Sequence, residues 1–493
     1  MLGLVSAETA LVGALVTPLV GLVLVSLLDR SPNLRESASI VSGIVTLFFV
    51  LTIFAAVGGG ARPEVDVVEM MPGLSIAFRV EPLGAMFGLI ASGLWVVNTL
   101  YSIGYMRGNA EHGQTGFYMA FCVAISAALG IAFAGNLLTF FLFYEVLTLS
   151  TFPLVTHERD DAARSGGRIY LGILMGTSIG LLLPGIIWVH ALAGTTDFVP
   201  GGILGGVFTN MPLVFGIILA LFAWGTAKAA LMPFHPWLPN AMVAPTPVSA
   251  FLHAVAVVKA GVFGVLKVTV YTFGAEEVML SGAGDIILYV AAASILIASV
   301  IAMTQDNLKA RLAYSTVSQL SYVTLGAMLA TRYGIIGGGT QIAAHALGKM
   351  TLFMCAGAIA TAHHRKYISQ MRGLGRVMPF TFIAYIIGAC SIIGIPPMAG
   401  SWPKFLLMLG SVETRDFILI GVLILSSLLN IVYLLPPAVR AFVDPVPRDQ
   451  VTEIREAPAL CLVPAWITAI GTLILFFLMG DLIRYLEPLV EGL

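Results

Sequence analysis

The sequence predicts an all-α polytopic membrane protein of about fourteen transmembrane helices, and three observations carry that expectation. The 493 residues are 58% hydrophobic and only 10% charged. The mean hydropathy is +0.96, which places the chain in the membrane class. Runs of roughly 20 apolar residues, long enough to cross a hydrocarbon core, recur from end to end with short connections between them.

In chain order, the apolar runs place helices near 9–28, 38–58, 81–106, 116–134, 136–157 and 166–193. They continue near 211–231, 245–272, 283–303, 306–329, 334–361, 378–409, 415–441 and 459–482. The N-terminus has no basic region and runs past Glu8 into apolar sequence, so the first helix reads as a retained span rather than a cleaved signal. The longest polar stretches are 59–80 and 442–458, too short for a soluble catalytic domain. Cys122, Cys355, Cys390 and Cys461 stand singly in apolar segments without metal-binding spacing and read as small hydrophobes.

Basic residues set the expected orientation. Fifteen lie at the odd-numbered connections, among them Arg30, Arg107, Arg159, Arg164, Arg168, Arg365, Lys366, Arg440 and Arg448. Five lie on the opposite side and five lysines lie within helices. The positive-inside rule then puts both termini on the non-cytoplasmic side of the cell membrane. His363, His364, Arg365 and Lys366 read as a helix-end anchor, as do Lys309 and Arg311.

The intrahelical lysines are the informative exceptions. An ammonium at membrane depth costs at least about 2.5–3.5 kcal/mol, so such a residue is a functional candidate by default. Lys228 precedes MPFHPWLP, and Lys404 ends GIPPMAGSWPK. Proline removes a backbone donor, and an interrupted helix persists in a bilayer only where protein or water satisfies the freed groups. Helices 7 and 12 are therefore expected to be discontinuous, in comparable positions of two inverted five-helix repeats. This divides the chain into an N-terminal three-helix segment (1–115), a first repeat of helices 4–8 (116–272), a second of helices 9–13 (283–442), and a C-terminal loop and helix (443–493).

Glu145, alone in FFLFYEVLTLSTF, is the expected partner of Lys228, as half of a titrating pair or as a structural counter-ion. Lys228 itself could switch protonation or simply lock the broken helix through its carbonyls. Lys259 lies too deep for easy snorkelling and reads as functional, whereas Lys267 is nearer a helix end and reads as an anchor. His345 and Lys349 are four apart and share a helix face. They could pass a proton along it, or His345 could be satisfied by a backbone carbonyl. His253 and Lys259 are six apart and do not share a face, so water or another helix must bridge them.

KAALMPFHPWLPNAMVAPTPVSAFLHAVAVVKAGVF, LKARLAYSTVSQLSYV, HALGKMTLF and GIPPMAGSWPKF together resemble the antiporter-like subunits shared by Mrp-type cation/proton antiporters, respiratory complex I and membrane-bound hydrogenases. The resemblance spans roughly residues 80–440. It implies a fourteen-helix fold with inverted repeats and a central polar axis. Glu145, Lys228, Lys259 and Lys404 match the family's glutamate, broken-helix lysine, connecting lysine and terminal ionisable residue, and His253, His345 and Lys349 fall in matching motifs.

The expected function is that of a proton-translocating subunit, first the D-like member of an Mrp-type Na+/proton antiporter. The alternative is a pumping subunit of a complex I-like or hydrogenase complex, and an autonomous solute transporter is a third reading. TLSTFPLVTHERDDAARSGGRIYLG departs from ordinary complex I subunits and favours the Mrp-like or hydrogenase-associated readings. The expected partners are other membrane subunits, the lipid bilayer, protons and Na+, with no nucleic acid. No haem, iron–sulfur, flavin or nucleotide motif is present in the sequence, so no cofactor is expected in this chain and any redox chemistry would belong to a partner. No acidic cluster is compact enough to assign a sodium or other metal site.

Overall fold

A bilayer offers no water to the backbone, so a chain of this composition must satisfy its peptide groups within helices. The computed structural model does so, and it describes residues 5–71, 73–445 and 453–491. Arg448, counted above among the basic connections, lies outside them.

Among the described residues, eleven helices are long and apolar enough to cross a membrane. Spans 1 to 6 are Ala7–Leu27, Pro32–Gly58, Pro82–Gly108, Gln114–Ala132, Leu137–Val155 and Asp161–Ala193. Span 7 begins as Pro212–Gly225 and span 8 is Thr246–Phe273. Span 9 is Ala283–Thr304, and span 10 is Leu308–Leu329, whose serines and threonines lower its hydropathy. Spans 11 to 14 are Arg332–His363, the two halves Pro379–Ile393 and Ser401–Glu413, Phe417–Val443, and Ala459–Leu486. The described residues thus hold the fourteen spans that the hydropathy pattern predicts.

The core sits on spans 8 and 11, whose most apolar windows are 100% and 94% buried, whereas those of spans 1, 13 and 14 are 33% buried. Helices apolar on all sides with only a third of that surface covered face lipid. The two central spans carry Lys259, His345 and Lys349, so protein surrounds these residues rather than hydrocarbon tails.

Three spans are interrupted. Span 7 unwinds after Gly225 into a 3₁₀ turn, Ala227–Ala229, and resumes only briefly at Trp237–Asn240. Trp237 Nε1 donates to Ala227 O at 2.8 Å and Trp224 Nε1 to Met232 O at 3.1 Å, satisfying carbonyls that the break frees. Span 12 breaks after Ile393, where Gly394 takes a left-handed φ of 90°. Span 8, expected to be continuous, also breaks, at Val255 and Ala256 between Thr246–Ala254 and Val257–Val268. Neither proline nor glycine marks that site. Just past the break, span 8 packs closely on the broken part of span 7. A Cβ at Gly261 would lie 2.0 Å from Ala229 N.

The polar stretch 59–80 contains a feature that hydropathy did not reveal, an antiparallel hairpin of β1 (Glu64–Met71) and β2 (Leu74–Arg79). It is tied to the start of span 5. Ala77 N donates to Thr139 Oγ1 at 3.0 Å, and Asn136 Nδ2 donates to Ser75 O at 2.8 Å.

Gly261→Val should therefore destabilise the fold by about 1–3 kcal/mol or more through forced overpacking, measured as a lower Tm in detergent. Gly421→Ala, where an added Cβ meets nothing within 4 Å, should hold or raise the Tm, with a gain of up to about 1 kcal/mol.

Candidate functional site

The polar side chains expected to form a path all lie inside the bundle. Lys228, Lys259, Lys349 and His253 are 0% exposed, His345 1% and Lys404 6%. Ammonium groups at such depth require close partners, and each lysine has them.

Lys228 rides on the 3₁₀ turn of span 7. Its Nζ donates to Tyr144 O and to Thr148 Oγ1, both at 2.7 Å, and stands 3.1 Å from the centroid of the Tyr144 ring. Tyr144 OH also accepts from Lys228 N at 3.1 Å. The expected ion pair with Glu145 is not formed. Both Glu145 carboxylate oxygens are buried without a hydrogen-bond partner. Tyr144 and Thr148, four apart, present a carbonyl and a hydroxyl to Lys228 in its place. Glu145 instead lies beside the exposed Val146 and Leu149.

Lys404 sits in the second half of span 12 and reaches back across the break. Its Nζ donates to Ile393 O at 2.8 Å and to Ser427 Oγ at 3.1 Å, 5.3 Å from the Tyr322 ring centroid. Ile393 O belongs to the residue at which the first half ends, so Lys404 satisfies a carbonyl that the break exposes. Lys349 Nζ donates to Leu312 O of span 10 at 3.2 Å.

Lys259 is different. Its Nζ lies 2.7 Å from His345 Nδ1, a side-chain contact between the two central spans. Such a hydrogen bond needs a lone pair on one nitrogen and a proton on the other, and the imidazole tautomer sets which of the two donates. Sequence reasoning paired His345 with Lys349 along one helix, whereas the structure pairs it directly with Lys259 across two. His345 Nε2 and both His253 ring nitrogens are buried without protein partners, the His253 ring lying 4.8 Å from that of Phe353. No side-chain hydrogen bond links Lys228 to Lys259, or Lys349 to Lys404, among the described residues. Those steps are separated.

Lys267 departs from the anchor expected at a helix end. It is 1% exposed, donates to Ala134 O at 2.8 Å and meets Glu81 Oε1 at 2.9 Å. Glu81 also caps span 3 by accepting from Gly84 N at 3.2 Å. The pair clips span 8 to the start of span 3. Distance in sequence hid it, since 186 positions separate the partners. Lys309 is also less solvated than an anchor, donating to Ala244 O at 2.5 Å.

The profile of the family described as NADH:quinone oxidoreductase/Mrp antiporter, transmembrane, matches residues 134–430. The chain belongs to this family.

Among its relatives in the NADH:quinone oxidoreductase/Mrp antiporter family is NADH-quinone oxidoreductase subunit N of Desulforudis audaxviator, 27% identical over 85% of this chain and 86% of that protein. An Na(+)/H(+) antiporter subunit of Alkalihalophilus pseudofirmus is 29% identical over 91% of this chain but 58% of its own length. A probable K(+)/H(+) antiporter subunit of Rhizobium meliloti is 30% identical over 73% of this chain, which matches 35% of that protein. The fold is that of a chain in the Mrp complex from a Dietzia species, with TM-score 0.86, 20% identity and coverage of 99% and 97% of the two chains. A chain of the archaeal membrane-bound sulfane sulfur reductase superposes with TM-score 0.85 at 20% identity, covering 97% of each chain. The protein is therefore a multi-pass, antiporter-like membrane subunit.

The Lys267–Glu81 clip yields a test that separates structure from titration. Lys267→Arg keeps the pair and should assemble normally, whereas Lys267→Ala leaves Glu81 without its cation and should cost about 3–5 kcal/mol, read as loss of folded protein in membranes.

Proposed function

We propose that this chain is the proton-conducting subunit of a multisubunit Mrp-type Na+/proton antiporter, assembled with other membrane subunits. The observation that carries this reading is the 2.7 Å contact between Lys259 Nζ and His345 Nδ1 at the buried junction of spans 8 and 11. Two titratable bases in hydrogen-bond contact, shielded from lipid and bulk water, have the geometry that proton transfer requires.

In the proposed path a proton held on Lys228 passes through water to Lys259, on to His345 and Lys349, and then to Lys404, with His253 beside the central step. Lysine suits this task because its proton affinity responds to burial and nearby charge, whereas arginine stays charged. Glu145 is the proposed modulator. Its unpaired carboxylate favours the charged lysine on approach and releases the proton as it withdraws. The tyrosines under Lys228 and Lys404, from spans 5 and 10, fit the proposed repeats of spans 4–8 and 9–13, because each is the second span of its repeat. The basic connections would face the cytoplasm, with both termini outside.

Coupling to a redox complex is the second reading. It is favoured by the near full-length match to NADH-quinone oxidoreductase subunit N, against 58% of the Alkalihalophilus antiporter protein.

Substitution in the assembled complex tests the path. Lys228→Ala and Lys228→Arg should both leave the complex intact and lower proton flux by about 10²-fold, the scale of a lost proton-transfer group, with Glu145→Ala also impaired. Wild-type flux in Lys228→Arg would rule out titration of this lysine. Everted vesicles separate the two couplings: an Na+ pulse that collapses an imposed pH gradient without reductant supports the antiporter, and flux only on adding reductant supports the redox complex.

A further inference from the structure

On the face that bears the odd-numbered connections, an open cavity of about 740 Å³ lies between the end of span 5 and the starts of spans 4 and 6. We infer that this cavity is the proton inlet of the chain, a collecting site in which Glu111 and His157 take up protons and feed them along span 5 to Lys228. The inference rests on the proposed relay and adds its first station.

The groups facing the cavity come from every element around it. Glu111 and His112 belong to the connection after span 3, and His157, Glu158 and Arg159 to the connection after span 5. Arg164 and Arg168 rise from span 6, Arg164 lying 3.5 Å from Asp161. Lys366, from the connection after span 11, acts on Glu111 through its charge. Acids, imidazoles and guanidiniums are thus mixed at a single mouth. In the proposed inlet the acids and imidazoles exchange protons with water.

Glu111 and His157 are displaced toward one another in proton affinity. Burial, reinforced by Glu158, raises Glu111 above the ordinary carboxylate range. Burial lowers His157, with Glu158 opposing that shift. Both shifts disfavour the charged form, as partial burial in a cavity wall does.

The route inward follows hydroxyl groups on span 5. Thr151 Oγ1 lies 2.6 Å from Tyr170 OH. One helical turn further in, Thr148 Oγ1 receives Lys228 Nζ at 2.7 Å. Thr151 is six residues from His157, about 9 Å of helix rise. Leu154 and Phe117, 1% and 2% exposed, form the apolar floor between them. The His157 ring stands edge-on to Phe117, with centroids 5.6 Å apart, at the point where a water file would have to cross that floor.

A proton-collecting site matters most when protons are scarce, because a charged cleft raises the local concentration of its ion. The test is proton uptake by everted vesicles holding the whole complex, normalised to complex content, for Glu111→Gln combined with His157→Asn. Uptake should fall by about tenfold near pH 9 and stay within about twofold of wild type near pH 7. Glu111→Asp, which keeps a carboxylate, should restore most of the alkaline rate. Unchanged uptake at both pH values, or an equal loss at both, would overturn the inlet. Should the double variant fail to accumulate, each single variant is read by the same pH ratio. Lys228→Ala separates the two ideas. If it abolishes flux while the cavity variants keep the wild-type pH profile, the inlet alone fails; if it transports normally, the relay fails.

Discussion

The structure depends on one constraint: in a membrane interior every exposed carbonyl and every ammonium group must find a partner within the protein. Broken helices and buried lysines are each unfavourable alone, and here each answers the other. Lys404 donates to Ile393 O at its own break, Lys228 to Tyr144 O, Lys349 to Leu312 O and Lys267 to Ala134 O. The indoles of Trp224 and Trp237 do the same for the unwound part of span 7. Such contacts hold the lysines at membrane depth and keep the interrupted helices in place.

Against that pattern Lys259 stands out, because its hydrogen-bond partner is an imidazole rather than a backbone carbonyl. A carbonyl can receive a hydrogen bond but cannot accept the proton, whereas an imidazole can do both. The fold thus distinguishes lysines whose Nζ rests on a carbonyl from a lysine in direct contact with a second titratable base. The distinction is one of geometry, and the three 0%-exposed lysines are alike in burial.

Glu145 shows how close the sequence came and where it stopped. Its position beside the Lys228 partners was legible, since Tyr144 and Thr148 flank it. Its direction was not, because Glu145 lies about 100° from Tyr144 but only about 60° from Thr148 around the helix, so the period alone does not decide which side chain meets Lys228. The break in span 8 had no local signal at all. The close approach of Gly261 to Ala229 just beyond it was equally unsignalled, since only packing creates such a contact. The Lys267–Glu81 clip and the pairing of Lys259 with His345 were hidden for the same reason, being contacts between segments far apart in the chain.

By itself the sequence determined the membrane class, the fourteen spans, the interruptions of spans 7 and 12 and most of the buried ionisable residues, with Lys267 and Lys309 misread as anchors. These are properties of local composition: apolar length, proline, and the cost of charge in hydrocarbon. Tertiary structure alone decided which of those residues touch, because a hydrogen bond between two helices depends on their rotation and spacing to within about 1 Å. Composition set the cost of burying the charges, and packing settled that Lys228 faces a hydroxyl and a carbonyl while Lys259 faces an imidazole.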